Sequence, residues 1–423
     1  MKVLWLSHIF PFPPRGGNLQ RSFNLIREIS ESCTVSLIAF NARGDSATRL
    51  HEYTSELKKY CEKVETWELP YPSRSLRWWT GLALSPLFQA PFTCRMLWSE
   101  KLVVKWRRVL EKHPGALLHF DSLDLALFAE GLGDFRKVLN HHNCESAMAD
   151  RRARMEPSPV KRAYLRLHAS KLAKLESRLC HQFEVNTVVS ELDARTLRDR
   201  NPKAHTHIVE NGTDTRYFVP SAVPEEPKSL IFAGSLNWYP NLSAIRFFTR
   251  DVWPLVKQQC PDVRLYLAGQ NPPSWLVRQT AEDPRIRLVP NPEDIRPWVA
   301  RASAFICPIL DGGGTRLKIL DAMAMGKPVV STSIGCEGLQ VKHGENILIA
   351  DSPESFATEA CRLLENDLLR HQIATAGRNL VADQYSWERI AHQLEMAYRC
   401  AQQGGACGQT AGEAARSHLE DPA

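Results

Sequence analysis

Residues 303–332 read SAFICPILDGGGTRLKILDAMAMGKPVVST and hold the most informative pattern of the chain. An apolar run at 303–309 leads into three consecutive glycines, an amphipathic segment follows at 315–325, and a second apolar run occupies 328–332. This order predicts a strand, a glycine-rich turn, a helix and a parallel strand, which together make one βαβ unit. Three glycines in a row are costly in chain entropy, which favours a ligand-binding role for the turn.

Similar apolar runs alternate with helix-length segments along the whole chain. The predicted strands are 2–7, 34–40, 63–69, 116–120, 137–142, 183–189, 229–234, 263–269, 286–290, 303–309, 328–332 and 346–350. Short strands separated by helices are typical of parallel sheets covered by helices on both faces. Twelve strands are too many for one ordinary doubly wound sheet. The sequence therefore predicts an α/β protein with two Rossmann-like, doubly wound parallel-sheet domains.

Turn and proline signals divide the chain. The segment 203–228 contains an Asn-Gly turn signal and the Pro/Glu-rich run SAVPEEPKS, which is typical of a linker. Ser386 is a suitable N-cap for a last helix, and the residues after 403 are small and polar. The predicted units are a first domain (1–205), a second domain (206–385), a last helix (386–403) and a disordered tail (404–423).

The composition restricts the class of protein. The chain has 423 residues, of which 43% are hydrophobic, and a net charge of +6, which is small for a dedicated nucleic-acid binder. Its 11 cysteines form no CxxC pair, so zinc ribbons and thioredoxin-like motifs lose their signature and reduced thiols in a cytoplasmic protein are expected. No apolar run approaches the roughly 18 residues of a membrane-spanning helix, and the Pro-broken N-terminus is unlike a secretory signal.

The residues around the three glycines suit an anionic ligand. Gly313 and Gly314 allow close approach of the backbone at the predicted helix start, where free N–H groups attract anions. Arg316 and Lys318, expected in the first helical turn, would add positive charge around a diphosphate. Asp321 could accept hydrogen bonds from the hydroxyls of a ribose. The alternative is a glycine-rich turn with solvated charges.

Three other loops follow predicted strands, where open parallel sheets bind ligands. Gly16 and Gly17 follow the first strand, but the spacing is not GxGxxG, so a nicotinamide or flavin dinucleotide is poorly supported. Gly234 and Ser235 offer a backbone donor and a hydroxyl after the first strand of the second domain. His142 ends a strand beside a second histidine, and only one of the two can face a cleft. Each of these loops could also be an ordinary turn.

Two segments of the first domain combine basic and aromatic residues. Residues 151–178 contain nine Arg or Lys and two Glu, and this local charge exceeds that of the whole chain. Residues 75–99 contain three tryptophans and several Leu and Phe residues near arginines. Such segments suit anionic lipid, so the inner face of a membrane is a candidate surface. A solvated helical face and a core hairpin are the alternative.

Taken together, the motifs resemble those of the family 4 (group 1) retaining glycosyltransferases. The resemblance extends from the N-terminus to about residue 403 and rests on GGGTRLKILDAMAMGKPVVST (312–332), GCEGL (335–339), ENGTD (210–214), AGS (233–235) and the N-terminal glycine pair. It implies the GT-B fold, in which two Rossmann-like domains face a cleft and a C-terminal helix crosses back to the first domain.

The resemblance also implies roles for individual residues. A nucleotide sugar would lie in the cleft, with its diphosphate on Arg316 and Lys318 and its ribose on Asp321. His142 matches a histidine that approaches the donor sugar. The family retains anomeric configuration and needs no bound metal, so neither a cofactor nor a metal ligand is expected. The implied site residues are Gly16, Gly17, Gly234, Ser235, Gly313, Gly314, Arg316, Lys318 and Asp321 for the donor and His142 for catalysis.

Two departures from the family pattern stand out. The family commonly carries two glutamates with seven residues between them, and here these positions are Gly313 and Asp321. The Arg-then-Lys pair that many members have after the first strand of the second domain is absent. We therefore expect a remodelled ribose contact and a larger role for Arg316 and Lys318 in phosphate binding.

These features predict a retaining glycosyltransferase that moves a sugar from a nucleoside-diphosphate donor to a glycan or lipid-linked acceptor in polysaccharide or glycolipid assembly. One alternative is an NDP-sugar 2-epimerase of the same fold, which would release a free epimerised sugar. Another is a degenerate, non-catalytic subunit that binds nucleotide or glycan without turnover. The expected partners are the donor, the acceptor and an anionic membrane surface, but no nucleic acid.

Overall fold

Two all-parallel β-sheets organise the computed structural model, which describes residues 1–72 and 75–405. The strands of the first sheet are β1 (Lys2–Ser7), β2 (Thr34–Phe40), β3 (Cys61–Trp67), β4 (Leu117–Phe120), β5 (Lys137–Asn140), β6 (Val185–Val188) and β7 (Thr206–Ile208). Those of the second sheet are β8 (Glu226–Ala233), β9 (Arg264–Gly269), β10 (Ile286–Pro290), β11 (Ala302–Cys307), β12 (Val329–Ser331) and β13 (Leu348–Ile349). The predicted α/β class and the two doubly wound parallel sheets are confirmed.

The strand orders are β3-β2-β1-β4-β5-β6-β7 and β10-β9-β8-β11-β12-β13. In each sheet the order reverses beside the first strand, between β1 and β4 and between β8 and β11. Open α/β sheets bind ligands at such a reversal, beyond the carboxyl ends of the strands. Each of the 12 predicted strands has a counterpart, because strands buried on both faces read as continuous apolar runs.

The short strand β7 was not predicted, because its sequence Thr-His-Ile is too short and too polar to stand out. It pairs with β6, so the first sheet ends at Ile208. The predicted domain boundary between residues 205 and 206 therefore falls just before the last strand of the first sheet.

Helices cover both faces of each sheet. They are α1 (Gly17–Ile29), α2 (Ala47–Leu57), α3 (Leu76–Leu84), α4 (Phe92–Leu97), α5 (Glu100–Glu111), α6 (Glu145–Met155), α7 (Pro159–Leu179), α8 (Glu191–Arg200), α9 (Tyr239–Phe247), α10 (Trp253–Gln259), α11 (Ser274–Glu282), α12 (Arg296–Arg301), α13 (Leu317–Ala324), α14 (Pro353–Glu365), α15 (Asp367–Gln384) and α16 (Trp387–Gln402). Short 3-10 helices lie at Ser85–Leu87, Leu123–Ala129 and Cys180–Gln182, and a π-helical turn at Phe248–Val252 joins α9 to α10.

The last helix, α16, returns to the first domain as predicted. Ser386 caps it by accepting a hydrogen bond from the Arg389 N–H. The helix packs against α1, β5 and β6 of the first domain. Its buried Tyr398 hydroxyl lies 2.9 Å from His119 Nδ1 at the end of β4. The crossing helix thus ties the second domain to the interior of the first.

The segment between the two sheets is held by a buried arginine. The Arg21 guanidinium on α1 donates to the carbonyl oxygens of Val209 and Glu210, at 2.8 and 2.7 Å, and to Asn211 Oδ1 at 3.1 Å. Burial lowers the pKa of Arg21 to about 10, and the nearby Asp121 carboxylate partly opposes this effect. These bonds hold the linker against the first domain, and the linker therefore has a fixed position at the base of the cleft.

The predicted disordered tail lies mostly outside the described residues, which end at residue 405. Gly404 and Gly405 follow α16 with positive φ angles. The ten cysteines in the described part of the chain are all buried.

Candidate functional site

The glycine loop after β11 lies at the reversal point of the second sheet and contacts the first domain. Gly312 and Gly314 have φ angles of +111° and +70°, which residues with a side chain rarely adopt. A Cβ atom on Gly314 would also collide with Asn143 Oδ1. At Gly313 a Cβ atom would lie 3.3 Å from Asn143 Oδ1 and from Met148. Any side chain at position 313 would therefore require Asn143 and Met148 to shift by a few tenths of an ångström, which favours glycine at this position.

Two positively charged side chains follow the loop. Arg316 caps α13 rather than lying in its first turn as predicted, and its guanidinium donates to the carbonyl oxygens of Gly313 and Gly314. Lys318 Nζ donates to Asn241 Oδ1 at 2.7 Å. Within the described chain, neither cation forms an ion pair with a carboxylate. Partial removal from water lowers the pKa of Arg316 and lowers that of Lys318 to about 8.

Asp321 lies on α13 one turn beyond Lys318, as predicted. Thr213 Oγ1 in the interdomain linker donates to Asp321 Oδ1 at 2.6 Å. Desolvation raises the pKa of Asp321 to about 7, although the hydrogen bond from Thr213 opposes this rise. The carboxylate thus has a neutral partner and a second oxygen available for a hydroxyl group.

The loop after β8 positions Lys318. Gly234 has a φ angle of +150°, and a Cβ atom there would lie 2.7 Å from Lys318 Nζ. Asn241, which the sequence analysis missed, donates to the Ser235 carbonyl at 2.7 Å while its oxygen accepts from Lys318. The Ser235 hydroxyl donates to Asn237 Oδ1 at 2.7 Å. Asn241 sits at the start of a helix after a strand, which is the one signal that could have identified it.

In the first domain the predicted His142 lies beside an unpredicted carboxylate. Asp121 follows β4 and is fully buried, and its carboxylate accepts hydrogen bonds from Ser7, Ser22 and Asn140 at 3.0, 2.6 and 3.1 Å. Burial alone would raise the pKa of Asp121. Contacts with three histidines, at positions 119, 142 and 8, outweigh that effect and hold the pKa well below its usual range.

His142 is neutral and its tautomer is defined. Its Nε2 lies 2.8 Å from the carbonyl oxygen of Asp121, which can only accept a hydrogen bond. The proton therefore sits on Nε2, and Nδ1 carries a lone pair. Burial lowers the pKa of His142 to about 3 despite the attraction of Asp121. Its neighbour His141 faces the other side of the sheet and contacts Asn186 Oδ1 at 3.2 Å.

The crossing helix reaches this cluster through His119. This ring stacks on Trp5 at a centroid distance of 3.6 Å, and its Nδ1 lies 2.9 Å from the Tyr398 hydroxyl. Its Nε2 lies 3.8 Å from Asp121 Oδ1. Asp121 is thus positioned by side chains from both ends of the chain.

The predicted residues of the two domains meet at the cleft. Gly16 has a φ angle of +107° and precedes α1, and a Cβ atom on Gly17 would lie 3.7 Å from the Leu317 side chain at the start of α13. The His142 carbonyl oxygen would lie 3.3 Å from a Cβ atom on Gly314. The tertiary structure therefore brings the first-domain glycine pair and His142 to the glycine loop of the second domain.

An arginine that the sequence analysis assigned to a basic segment also crosses the cleft. Arg151 on α6 donates to the Gly312 carbonyl oxygen at 2.6 Å and to the Glu337 carboxylate at 2.9 Å. A cavity of about 90 Å³ lies beside this contact, between α6, α8 and the glycine loop. The glycine loop is thus held by contacts from both domains.

Comparisons with known proteins agree with this architecture. Residues 227–366 match the family model described as "Glycosyl transferases group 1". The D-inositol 3-phosphate glycosyltransferase of a Nocardioides strain is 27% identical over 248 residues, which cover 51% of this chain and 53% of that protein. The chain spans about half the length of the curated relatives it matches, from 44% to 59%.

Solved structures share the fold over nearly the whole chain. Sucrose-phosphate synthase from Thermosynechococcus elongatus superimposes with a TM-score of 0.70 at 17% identity and covers 96% of this chain and 100% of its own. HepE of Anabaena, solved with UDP, gives a TM-score of 0.64 at 15% identity, with 94% and 100% coverage.

The two facing Rossmann-like domains and the crossing helix define a GT-B fold, as predicted. Over residues 227–366 the second domain is similar to the group 1 glycosyltransferases.

Proposed function

We propose that the protein is a glycosyltransferase that transfers a sugar, with retention of configuration, from a nucleoside-diphosphate donor to a glycan or lipid-linked acceptor. The reaction would serve polysaccharide or glycolipid biosynthesis. The observation that carries the proposal is the pair Arg316 and Lys318, two half-buried cations that form no ion pair with a carboxylate in the described chain. Partly desolvated cations without a counter-charge are suited to an anion.

In the proposed site, the diphosphate lies at the N-terminus of α13. Arg316 and Lys318 supply positive charge, the backbone of Gly313 and Gly314 allows close approach, and the helix dipole adds to the attraction. Gly234 and Ser235 line the other side through their contacts with the lysine and its amide partner. Asp321 would accept the ribose hydroxyls with the carboxylate oxygen that Thr213 leaves free.

Transfer would depend on stabilising the departing diphosphate. As the bond to the sugar breaks, negative charge grows on the phosphate oxygen, and fixed cations at α13 stabilise that charge most strongly in a partly dehydrated site. His142, held neutral by burial, would accept a hydrogen bond from a hydroxyl of the substrate through Nδ1. We propose that no metal is needed, and the retention of configuration rests on the resemblance to family 4.

A ligand screen tests the proposal directly. Thermal unfolding would be followed with UDP, GDP, ADP, TDP and CDP, each with and without magnesium. A ligand that binds only the folded state at about 100 times its Kd adds about 2.7 kcal/mol of stability. We expect one diphosphate to stabilise the protein without magnesium, and the matching sugar nucleotide to support transfer to octyl glycosides. Stabilisation by none of them would contradict the proposal. Release of an epimerised free sugar would favour an epimerase, and binding without any turnover a non-catalytic subunit.

We further propose that the first domain binds an anionic membrane surface. Helix α3 and the turn after it expose Leu76, Trp79 and Leu87 at 80%, 55% and 79%. Lys171 on the basic helix α7 donates to the carbonyl oxygens of Ser85 and Phe88 and so places this apolar segment beside the positive charge. Exposed apolar residues next to basic ones suit the interface of an anionic bilayer. No helix in the described residues is both long enough and apolar enough to cross a bilayer.

Vesicle sedimentation tests the membrane proposal. The full chain should sediment with vesicles that contain phosphatidylglycerol, less at high salt, and hardly at all with neutral vesicles. Leu87→Ser should weaken sedimentation, whereas the matched control Leu368→Ser, a 69% exposed leucine of the second domain, should not. Equal sedimentation of both variants would contradict the assigned surface.

A further inference from the structure

Three histidine nitrogens at the end of the first sheet are buried without a hydrogen-bond partner among the described residues, and two of them belong to rings that face each other. His142 Nδ1 and His8 Nδ1 are both shielded from solvent, and neither has a hydrogen-bond partner among the described residues. The two rings face each other across 5.6 Å between centroids, with planes tilted by 60°. Buried polar atoms are almost always hydrogen-bonded in folded proteins, so a pair of orphaned nitrogens in facing rings indicates a place for a polar ligand.

His8 lies at the carboxyl edge of the first sheet because of its position in the chain. It is the first residue after β1, at the reversal point of the first sheet, and Gly16 and Gly17 follow in the same loop. His142 follows β5 and contacts Asp121 at the end of β4. Three strand ends therefore converge on one point.

A divalent cation is the first ligand to consider, since single ligand atoms of His8, Asp121 and His142 lie within 4.8 Å of one another. The nitrogen of His142 on the carboxylate side is Nε2, 3.5 Å from Asp121 Oδ1. Its proton is donated to the Asp121 carbonyl oxygen, so this nitrogen cannot ligate a metal. The Asp121 carboxylate already accepts three hydrogen bonds. The cluster is poorly suited to a cation.

An anion is disfavoured by the buried Asp121 carboxylate, which repels negative charge. A hydroxyl group fits, because its O–H can donate to the lone pair on His142 Nδ1 while its oxygen accepts from His8. A nitrogen of His8 lies within 4.8 Å of a nitrogen of His142. Two hydrogen bonds of about 2.8 Å span up to roughly 5.6 Å, so one hydroxyl oxygen can bridge the two rings.

We propose that His8 and His142 together hold one hydroxyl group of a substrate sugar, with His142 Nδ1 accepting from it and His8 donating to it. His8 is then a specificity-determining residue that selects a sugar with a hydroxyl at that position. This inference rests on the proposed function, because it requires a sugar in the cleft. The hydroxyl belongs either to the donor sugar or to the acceptor.

The test compares binding of parent diphosphates and sugar nucleotides. Calorimetry of the full chain would use UDP, GDP and ADP beside UDP-glucose, GDP-mannose and ADP-glucose, with octyl glucoside and octyl mannoside as acceptor probes. The variants are His8→Phe, which keeps a ring without polar atoms, and His8→Gln, which keeps a donor. The matched control is His113→Phe, a half-buried histidine of the same domain away from the cleft.

If the hydroxyl belongs to the donor, His8→Phe should weaken sugar-nucleotide binding by about ten- to a hundredfold while the affinity for the parent diphosphate stays constant. His8→Gln should recover part of the loss. If the hydroxyl belongs to the acceptor, donor affinity stays constant and KM for the octyl glycoside rises by a similar factor. For a deoxy sugar that lacks this hydroxyl, wild type and His8→Phe should then show the same affinity or KM.

Several results would overturn the inference. Unchanged donor and acceptor constants in His8→Phe would do so, as would an equal loss of affinity for diphosphate and sugar nucleotide, which would indicate a structural role. Binding of zinc that disappears in His8→Phe would assign the cluster to a metal instead. A wild-type protein that binds no diphosphate would contradict the proposed function as well, whereas the other outcomes bear on His8 alone.

Discussion

The two sides of the cleft handle charge in opposite ways. In the second domain, Arg316 and Lys318 are paired only with carbonyl and amide oxygens, and desolvation lowers the pKa of both. In the first domain, the buried Asp121 carboxylate accepts three hydrogen bonds and its pKa lies well below the usual range. One side carries uncompensated charge, and the other side carries charge that the protein itself compensates.

This difference indicates what each side binds. Uncompensated cations reduce the stability of the free protein and recover that energy when an anion binds. A compensated carboxylate stabilises the fold and leaves only neutral acceptors, such as His142 Nδ1, for a ligand. The second domain is therefore suited to the charged part of a donor and the first to neutral hydroxyl groups.

The largest effect is expected from removing a cation. Arg316→Ala should lower kcat/KM by about a thousandfold, or about 4 kcal/mol, because charge on the departing diphosphate loses its partner. The free energy of unfolding should not fall, since a desolvated charge is also removed. The matched control is Arg278→Ala on the exposed face of α11. Steady-state kinetics and chemical denaturation measure both quantities, and full activity in Arg316→Ala would contradict the site.

In the first domain, where the buried carboxylate is compensated, a substitution should mainly lower stability. Asp121→Asn should lower the free energy of unfolding at pH 7 by about 3 kcal/mol, because the new amide N–H₂ faces groups that donate. Since the pKa of Asp121 is depressed in the fold, its contribution is present above about pH 4 and is lost as the pH falls further. Denaturation of wild type, Asp121→Asn and the exposed control Asp134→Asn at pH 3 to 7 checks this. A pH-independent difference would contradict the account.

The contact between the glycine loop and the first domain can be disrupted by adding one Cβ atom at Gly314. Gly314→Ala should lower kcat/KM by roughly tenfold to a hundredfold, because its Cβ would collide with Asn143 Oδ1 and its φ angle is positive. Adding Asn143→Ala should restore part of the loss by removing the collision. Gly133→Ala is the control, since a Cβ there meets nothing within 4 Å. Equal activities of the single and double variants would place the strain in the backbone alone.

At Asp321 in the second domain, an Asp-to-Asn change should affect stability in the opposite direction. The pKa of Asp321 is raised to about 7, so its charged form costs stability that grows above the unfolded pKa of about 4 and is complete above pH 7. Asp321→Asn should therefore stabilise the free protein by about 2 kcal/mol at pH 8 while weakening diphosphate-nucleoside binding. Thermal unfolding at pH 5 and 8 measures it, with Asp383→Asn as an exposed control. Destabilisation at pH 8 would contradict the prediction.

The smallest expected effect is the pH dependence of nucleoside-diphosphate binding. Because the pKa of Lys318 is lowered to about 8, the free protein loses this charge above that pH, and the Kd of the nucleoside diphosphate should rise by up to about tenfold per pH unit. Calorimetry between pH 7 and 9.5 measures the slope. Lys318→Arg should be flat over the same range, since arginine stays protonated. A flat profile in wild type would show that Lys318 does not meet the phosphates.

Some elements were predictable because they are local. The strand, glycine loop and helix of residues 303–332 follow from a continuous apolar run, three glycines and an amphipathic segment. Capping of α16 by Ser386 is local as well. In contrast, β7 has no pattern of its own and exists because it pairs with β6.

Site residues divide in the same way. Arg316, Lys318 and Asp321 could be selected from a motif, because they share one loop and helix with the glycines. Asp121 could not, since its partners Ser7 and Ser22 lie far away in the chain. Asn241 had only one signal, its place at the start of a helix after a strand. No sequence pattern indicated a role for His8, and only the structure shows that its ring lies opposite His142.

The sequence alone determined the parallel α/β class, the strand positions, the capped last helix and the charged residues after the glycine loop, because period, capping and spacing are properties of neighbouring residues. The tertiary structure alone decided which charges are compensated, which tautomer His142 adopts, which side chains crowd position 313 and that His8 lies opposite His142. These properties depend on desolvation and on contacts between residues more than a hundred positions apart, as between Ser7 and Asp121, and no local pattern encodes them.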